Sequence, residues 1–282
     1  MTALDTALST VDRWPANAAA AVVTHAGVVA AYGPTGTVFP LASVTKPLTA
    51  LAALVAVEEG AVDLGDPADD VLVPGATLRH LLAHASGLAP ERPMRSFPPA
   101  TRRVYSNVGI NLLASLVERA VEMPFAAYLA EAVAKPLQLA ATTLPGSAAA
   151  GGRSTVDDLA RVAHELLVPS RLLHPVTLAD ATSVQYPGLR GVLPGFGPQD
   201  PNDWGLGFEI RGGKHPHWTG SRNSPRTYGH FGQSGSMLWV DPDARIALIA
   251  LADRPFGEWA AQAWPRLADA VLAALRARQK LT

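Results

Sequence analysis

The chain of 282 residues has no cysteine, four lysines and almost no net charge, with 23 Lys+Arg against 24 Asp+Glu. Without cysteine there is no disulfide framework, no thiol nucleophile and no cysteine-ligated metal. The balanced charge provides no basic surface for nucleic acid or for an anionic membrane. Because arginine carries most of the positive charge, each lysine is worth testing for a role that needs an amine able to lose its proton.

Long apolar runs are missing as well. The longest, residues 48–57, is about ten residues long, whereas a membrane-spanning helix needs roughly 20. The first residues lack the basic and apolar regions of a secretory signal. We therefore expect a cytoplasmic protein without a membrane partner. With 48% hydrophobic residues, the chain can build a core for one large or two smaller domains.

Hydrophobic periodicity predicts strands at both ends of the chain and helices in the middle. The predicted strands are a hairpin of residues 18–24 and 28–32, then 205–211, 236–240 and 246–252. The predicted helices are 43–59, 77–85, 107–121, 125–134, 154–167 (N-capped by Ser154) and 258–278. This segregation favours an α+β fold, in which the N-terminal hairpin joins the C-terminal strands in one antiparallel sheet flanked by helices. Residues 1–64 and 201–282 would form the sheet domain, with 65–200 as an inserted, mostly helical domain.

A serine and a lysine stand three residues apart at the predicted start of one helix. Ser43 and Lys46 then lie on one helix face, one turn apart. A serine hydroxyl becomes a good nucleophile when a neighbour takes its proton, and a lysine can do so when burial or nearby charge lowers its pKa. Taken alone, the pair is equally a serine at a helix start followed by a surface lysine.

Two further short motifs contain polar groups suited to catalysis. Tyr105 and Asn107 stand at the start of the helix predicted at 107–121, where Asn107 would serve either as the N-cap or as a ligand for a substrate amide. His230 precedes Gly232 on or beside a late strand, where we expect it to line the pocket; the alternative is a strand histidine with its hydrogen bonds satisfied. Neither motif is specific by itself.

In this order, Ser-x-x-Lys, Tyr-x-Asn and His-x-Gly resemble the motif triplet of serine β-lactamases and penicillin-binding proteins. Flanking segments extend the resemblance to the class C-like branch over nearly the whole chain: 63–67 (DLGDP), 78–88 (LRHLLAHASGL), 152–160 (GRSTVDDLA), 204–208 (WGLGF) and 229–236 (GHFGQSGS). The resemblance implies an α/β sheet domain with a helical domain, which agrees with the predicted distribution of strands.

The resemblance also implies a role for each motif residue. Ser43 matches the acyl-accepting nucleophile, Lys46 its activating partner, and Tyr105 the residue that shares the base work and protonates the leaving group. Asn107, His230 and Gly232 match substrate-binding positions. The backbone N–H groups of Ser43 and Gln233 match the oxyanion hole, and no metal or other cofactor is implied.

The third motif departs from the common pattern in a way that bears on the substrate. His230 stands where lysine is commoner, and Phe231 where a hydroxyl often binds a substrate carboxylate. We therefore expect an esterase acting on small or medium acyl esters through a Ser43 acyl-enzyme. A β-lactamase or D,D-carboxypeptidase (D-amino-acid peptidase) is the alternative, and a catalytically silent binding domain a second. The partner is a small-molecule ester or amide, and the oligomeric state is left open.

Other hydrolase classes fit the sequence less well. His80 and His84 have the spacing of a helical zinc pair, but Leu81 stands where the general base of such enzymes would be. His215 and His217 form another nominal pair, without an acidic companion at a motif spacing. A nucleophile elbow of the Gly-x-Ser-x-Gly type is not matched by residues 232–236. Loop residues proposed for the pocket are Trp204, His215, His217 and Trp218.

Overall fold

A computed structural model describes residues 2–279 of the chain. Its α-helices are α1 (Ala3–Leu8), α2 (Thr45–Glu58), α3 (Leu78–Leu82), α4 (Asn107–Val121), α5 (Phe125–Leu129), α6 (Lys135–Leu137), α7 (Val156–Leu167), α8 (Pro175–Ala181) and α9 (Glu258–Gln279). Its strands are β1 (Ala18–Thr24), β2 (Gly27–Tyr32), β3 (Phe39–Pro40), β4 (Arg153–Ser154), β5 (Gly191–Leu193), β6 (Gly197–Gln199), β7 (Glu209–Ile210), β8 (Tyr228–Gly232), β9 (Ser236–Asp241) and β10 (Ile246–Ala252). Two 3₁₀ turns, Ser9–Arg13 and Ala42–Val44, and a π-helical turn, Ala130–Ala134, complete the described elements.

One antiparallel sheet of six strands forms the centre of the fold, in the order β2-β1-β10-β9-β8-β7. The N-terminal hairpin pairs with the last strand over seven residues, from Ala18 opposite Ala252 to Thr24 opposite Ile246. This confirms the α+β class and the predicted closure of the sheet by the two ends of the chain. Two small antiparallel pairs lie outside the main sheet: β3 with β4, which are distant in the sequence, and the hairpin of β5 with β6.

Helices cover both faces of the sheet, and the strands are therefore apolar on both sides. Ala21 and Val23 of β1 belong to the core cluster that contains α2 and α7, whereas Ala20 and Val22 belong to the cluster that contains α1 and α9. All seven residues of β10 are buried. A strand covered on both faces has a continuous apolar run instead of alternation, which is the pattern seen in β1 and β10.

The structure corrects three details of the predicted elements. Ser43 lies in the 3₁₀ turn Ala42–Val44, and the α-helix itself begins at Thr45. The N-cap of α7 is Thr155, whose hydroxyl accepts the Asp158 N–H, so the prediction of Ser154 was wrong. Of the strand predicted at 205–211, only β7 forms, because the chain turns at Gly207, whose φ is +81°.

The predicted division into domains at residues 64/65 and 200/201 stays a prediction. Helix α7, within the proposed insertion, packs on β1 and β10 of the sheet. Among residues 2–279, no helix is both long enough and apolar enough to cross a membrane.

Arg103 connects segments that are far apart in the sequence around the stretch leading to Tyr105. Its side chain is 2% exposed. The guanidinium donates hydrogen bonds of 2.6–3.2 Å to four backbone carbonyls, those of Ala83, Gln185, Tyr186 and Asn202. Burial lowers the pKa of Arg103 to about 10, which leaves it charged at neutral pH. One side chain thus holds three loops against the segment that contains Tyr105.

Replacing Arg103 by methionine should lower the free energy of unfolding by about 3 kcal/mol or more, because buried carbonyls lose their donors. Urea unfolding followed by tryptophan fluorescence measures this change. The matched control is Arg92→Met, at an exposed position, with an expected change within about 0.5 kcal/mol. Equal stability of the two variants would contradict the structural role of Arg103.

Candidate active site

The turn that contains Ser43 is pressed against the end of β8. Ala42, just before the serine, has a φ of +45°, a left-handed conformation that costs energy for a residue other than glycine. A Cβ on Gly232 would lie 2.2 Å from the Leu41 carbonyl oxygen and 3.2 Å from the Ser43 nitrogen. Only glycine permits this approach of β8 to the backbone of the serine.

Lys46 is fully buried next to Ser43, one turn along as the sequence predicted. Its Nζ lies 3.2 Å from Ser43 Oγ, 2.6 Å from Asn107 Oδ1 and 2.9 Å from the Ala149 carbonyl oxygen. Burial lowers the pKa of Lys46 to about 7, against an opposing effect of Glu91. A neutral amine can donate its two protons to the Asn107 and Ala149 oxygens and direct its lone pair at the Ser43 hydroxyl.

Tyr105 completes a short chain of hydrogen bonds through the serine. Its hydroxyl donates to Ser43 Oγ at 2.7 Å, and its ring centroid lies 4.6 Å from Lys46 Nζ. Burial raises the pKa of Tyr105, so it stays a hydrogen-bond donor at neutral pH. In this arrangement the tyrosine donates to the serine while the serine can donate to the neutral lysine.

Asn107 does not cap helix α4, because Ser106 takes that position and accepts the Gly109 N–H at 3.0 Å. The Asn107 side chain instead faces the site. Its Oδ1 accepts from Lys46, and its Nδ2 donates to Glu91 Oε1 at 2.6 Å. Asn107 therefore orients the lysine in this structure.

His230 lies in a group of aromatic rings beside the serine. Its ring centroid is 5.8 Å from that of Tyr105 and 5.5 Å from that of Trp204, and these two are 5.7 Å apart. Burial, with a contribution from Lys46, lowers the pKa of His230 to about 3. The imidazole is therefore neutral throughout the physiological range.

A narrow cavity of about 40 Å³ opens onto Ser43. It is lined by the predicted residues Ser43, Tyr105, Trp204, His230 and Gln233, and also by Leu193, Pro194, Glu209 and Phe231. Ser43 and Gln233, whose backbone N–H groups are the predicted oxyanion donors, thus line the same cavity. Larger cavities elsewhere, such as one of about 550 Å³ beside α7, lie away from these groups.

Several contributors to the site were not predicted from the sequence. The Ala149 carbonyl and Glu91 come from loops without a motif. His84 accepts the Ser106 N–H at Nδ1, 3.2 Å away, and its ring centroid lies 4.7 Å from that of Tyr105. Its companion in the nominal zinc pair, His80, stacks on Tyr186 with ring centroids 4.5 Å apart.

A buried ionic cluster supports the wall of the cavity. Glu209 Oε1 accepts from Lys214 Nζ at 2.6 Å and from His217 Nε2 at 2.9 Å, and Trp218 Nε1 donates to the other oxygen. His217 and Trp218 thus do not line the cavity themselves but hydrogen-bond to Glu209, which does. His215 is exposed. The scarcity of lysine was the one signal that could have drawn attention to Lys214.

Comparison with known proteins assigns the chain to a family. The Beta-lactamase family model matches residues 12–273. A beta-lactamase from Mycobacterium bovis has a solved structure that is 55% identical, with a TM-score of 0.93 over 95% of this chain and 99% of that one. EstCE1, described as a hydrolase with promiscuous acyltransferase activity, is 18% identical with a TM-score of 0.79 over 96% of this chain and 97% of that one, which shows the fold alone.

A curated relative is similar over a shorter region. A putative D-alanyl-D-alanine carboxypeptidase of Salmonella schwarzengrund is 25% identical over 211 residues, 56% of this chain. The chain spans about half the length (47%) of that relative. The fold is that of β-lactamases and transpeptidases, as the motif triplet implied. The chain belongs to the beta-lactamase family of serine hydrolases.

Proposed function

We propose that this protein is an esterase that hydrolyses small or medium acyl esters through an acyl-enzyme on Ser43. The observation that carries the proposal is the hydrogen-bonded chain from Tyr105 through Ser43 to a lysine whose pKa is lowered to about 7. A lysine at this pKa is partly neutral at physiological pH and can accept the serine proton. Activation of this kind is what a serine hydroxyl needs to act as a nucleophile.

The proposed reaction has two halves. Ser43 Oγ attacks the ester carbonyl while its proton passes to Lys46, and the backbone N–H groups of Ser43 and Gln233 stabilise the oxyanion. The alcohol then leaves with a proton relayed from Lys46 by Tyr105. A water molecule, activated by the same pair, attacks the acyl-enzyme and releases the acid, which restores the Ser43 hydroxyl.

The chemistry of the third motif favours esters over β-lactams and D-alanyl peptides. Those two substrate classes carry a carboxylate, which calls for a cation or a hydroxyl donor at the site. His230 is neutral, and Phe231 is an apolar residue that packs on Phe256 and Trp264. The narrow cavity beside Ser43 favours the shorter acyl groups. The D,D-carboxypeptidase alternative is supported by the name of the Salmonella relative.

A fluorophosphonate probe should label the protein covalently at Ser43, because the probe reacts with activated serines. Intact-mass analysis measures one added probe, and Ser43→Ala should abolish it. Ser96→Ala, at an exposed serine, is the matched control and should label like the wild type. A wild type that takes up no probe would instead favour a silent binding domain.

Lys46→Ala and Lys46→Arg should each lower kcat/KM for p-nitrophenyl acetate by about 10²–10⁴-fold, because neither side chain can accept the serine proton. In the wild type, kcat/KM should rise with pH through about 7 and level off above it, since the neutral amine is the active form. Lys135→Ala, at a lysine on α6, is the control and should keep both the rate and the profile. A flat profile, or activity within a few-fold after either Lys46 change, would contradict the base role.

A substrate panel separates the proposed esterase from its alternatives. We expect kcat/KM for p-nitrophenyl acetate to exceed that for nitrocefin and for a D-alanyl-D-alanine peptide by about 30-fold or more, because the carboxylates of the latter two have no charged partner in the third motif. Steady-state rates at one pH provide the comparison. A dominant nitrocefin rate would identify a β-lactamase, and a dominant peptide rate a carboxypeptidase.

A further inference from the structure

The hydrogen bond of His230 to its own strand determines which ring nitrogen carries the proton. His230 Nδ1 lies 2.6 Å from the Phe231 carbonyl oxygen. A carbonyl oxygen only accepts, so Nδ1 must be the protonated nitrogen. In a neutral imidazole the other nitrogen, Nε2, then bears a lone pair and no proton. His230 presents a hydrogen-bond acceptor where lysine would present a charged donor.

That acceptor has no partner within the described part of the chain. His230 Nε2 is fully buried and receives no hydrogen bond from residues 2–279. His230 lines the cavity together with Tyr105 and Trp204, and because Nδ1 is bonded to the strand backbone, Nε2 is the ring nitrogen that is left without a partner. A buried acceptor without a donor costs about 1–3 kcal/mol, so a donor that enters the cavity gains that energy.

Most other polar side chains that line the cavity already have hydrogen-bond partners. The Tyr105 hydroxyl donates to Ser43. The Glu209 carboxylate accepts hydrogen bonds from Lys214, His217 and Trp218, and the Lys214 ammonium balances its negative charge. Leu193, Pro194 and Phe231 form apolar walls. Gln233 also lines the cavity, but its side chain is exposed. His230 Nε2 is therefore the buried acceptor of the cavity that lacks a donor, and no charged side chain there is free to pair with an ionic ligand group.

We propose that this cavity is a subsite for a hydroxyl group on the acyl part of the substrate, held by His230 Nε2. The preferred substrates are short hydroxyacyl esters, with the hydroxyl at the second or third carbon. This inference rests on the proposed esterase function, because it places the acyl chain bound to Ser43 in the cavity that opens onto that residue. A water molecule offers the same O–H donor when the substrate has none.

The test compares p-nitrophenyl esters that differ only in the donor: 3-hydroxybutyrate and lactate against butyrate, propionate and 3-methoxybutyrate. In the wild type, at least one hydroxyacyl ester should exceed its unsubstituted partner in kcat/KM by about tenfold, the value of one hydrogen bond to a buried acceptor. 3-Methoxybutyrate has the oxygen without the proton and should show no gain. The ratio of hydroxyacyl to unsubstituted rates is the readout.

Variants assign the preference to His230. His230→Leu should reduce the ratio to within about twofold of unity, and His230→Gln, which offers an acceptor at a similar reach, should restore part of it. Leu193→Ala changes an apolar wall of the same cavity and should alter all rates while leaving the ratio in place.

Three results would overturn the hydroxyl subsite. They are a wild-type ratio near unity, which would leave the acceptor to water, an equal gain from the methoxy ester, and a ratio that survives in His230→Leu. The proposed function stands in each case if butyrate hydrolysis still depends on Ser43. Loss of all Ser43-dependent hydrolysis would instead remove the esterase proposal itself.

Discussion

The Lys46 amine is withdrawn from water into a space where it meets three oxygen atoms, and its distances to them decide what the site can do. In water a lysine is almost wholly protonated at pH 7 and cannot act as a base. Burial disfavours the ammonium, while the Asn107 and Ala149 oxygens still accept the protons of a neutral amine. Folding of the surrounding loops therefore gives Lys46 the lowered pKa on which the proposed base role depends.

Burial of the Lys46 amine requires that several separate segments of the chain pack around it. Ala149 belongs to the segment before β4, Asn107 begins α4, and Arg103 fastens the chain just before Tyr105 to three separate loops. The glycine at 232 lets the sheet approach from the other side. Side chains and backbone atoms spread over almost the entire sequence thus converge on a few atoms.

The sequence predicted the parts of the site that local patterns encode. The spacing of Ser43 and Lys46 placed them on one face, and the apolar runs of β1 and β10 indicated strands that pair across the ends of the chain. The Ala149 carbonyl, Glu91 and the cluster around Glu209 could not be found this way, because they enter through loops whose course depends on tertiary contacts. Ser154 was misplaced as an N-cap because Thr155 offers the same hydroxyl chemistry one residue later.

The contact between Gly232 and the backbone of residues 41–43 makes the position of the Ser43 backbone independent of the shape of the neighbouring cavity. The position of the Ser43 N–H, one of the two proposed oxyanion donors, depends on the close approach of Gly232 to the Leu41 carbonyl oxygen and the Ser43 nitrogen. The chamber beside the nucleophile is shaped by the side chains of Leu193, Pro194 and Phe231. Substitutions of these wall residues can therefore change which groups fit the cavity, while the backbone contact that positions Ser43 stays the same.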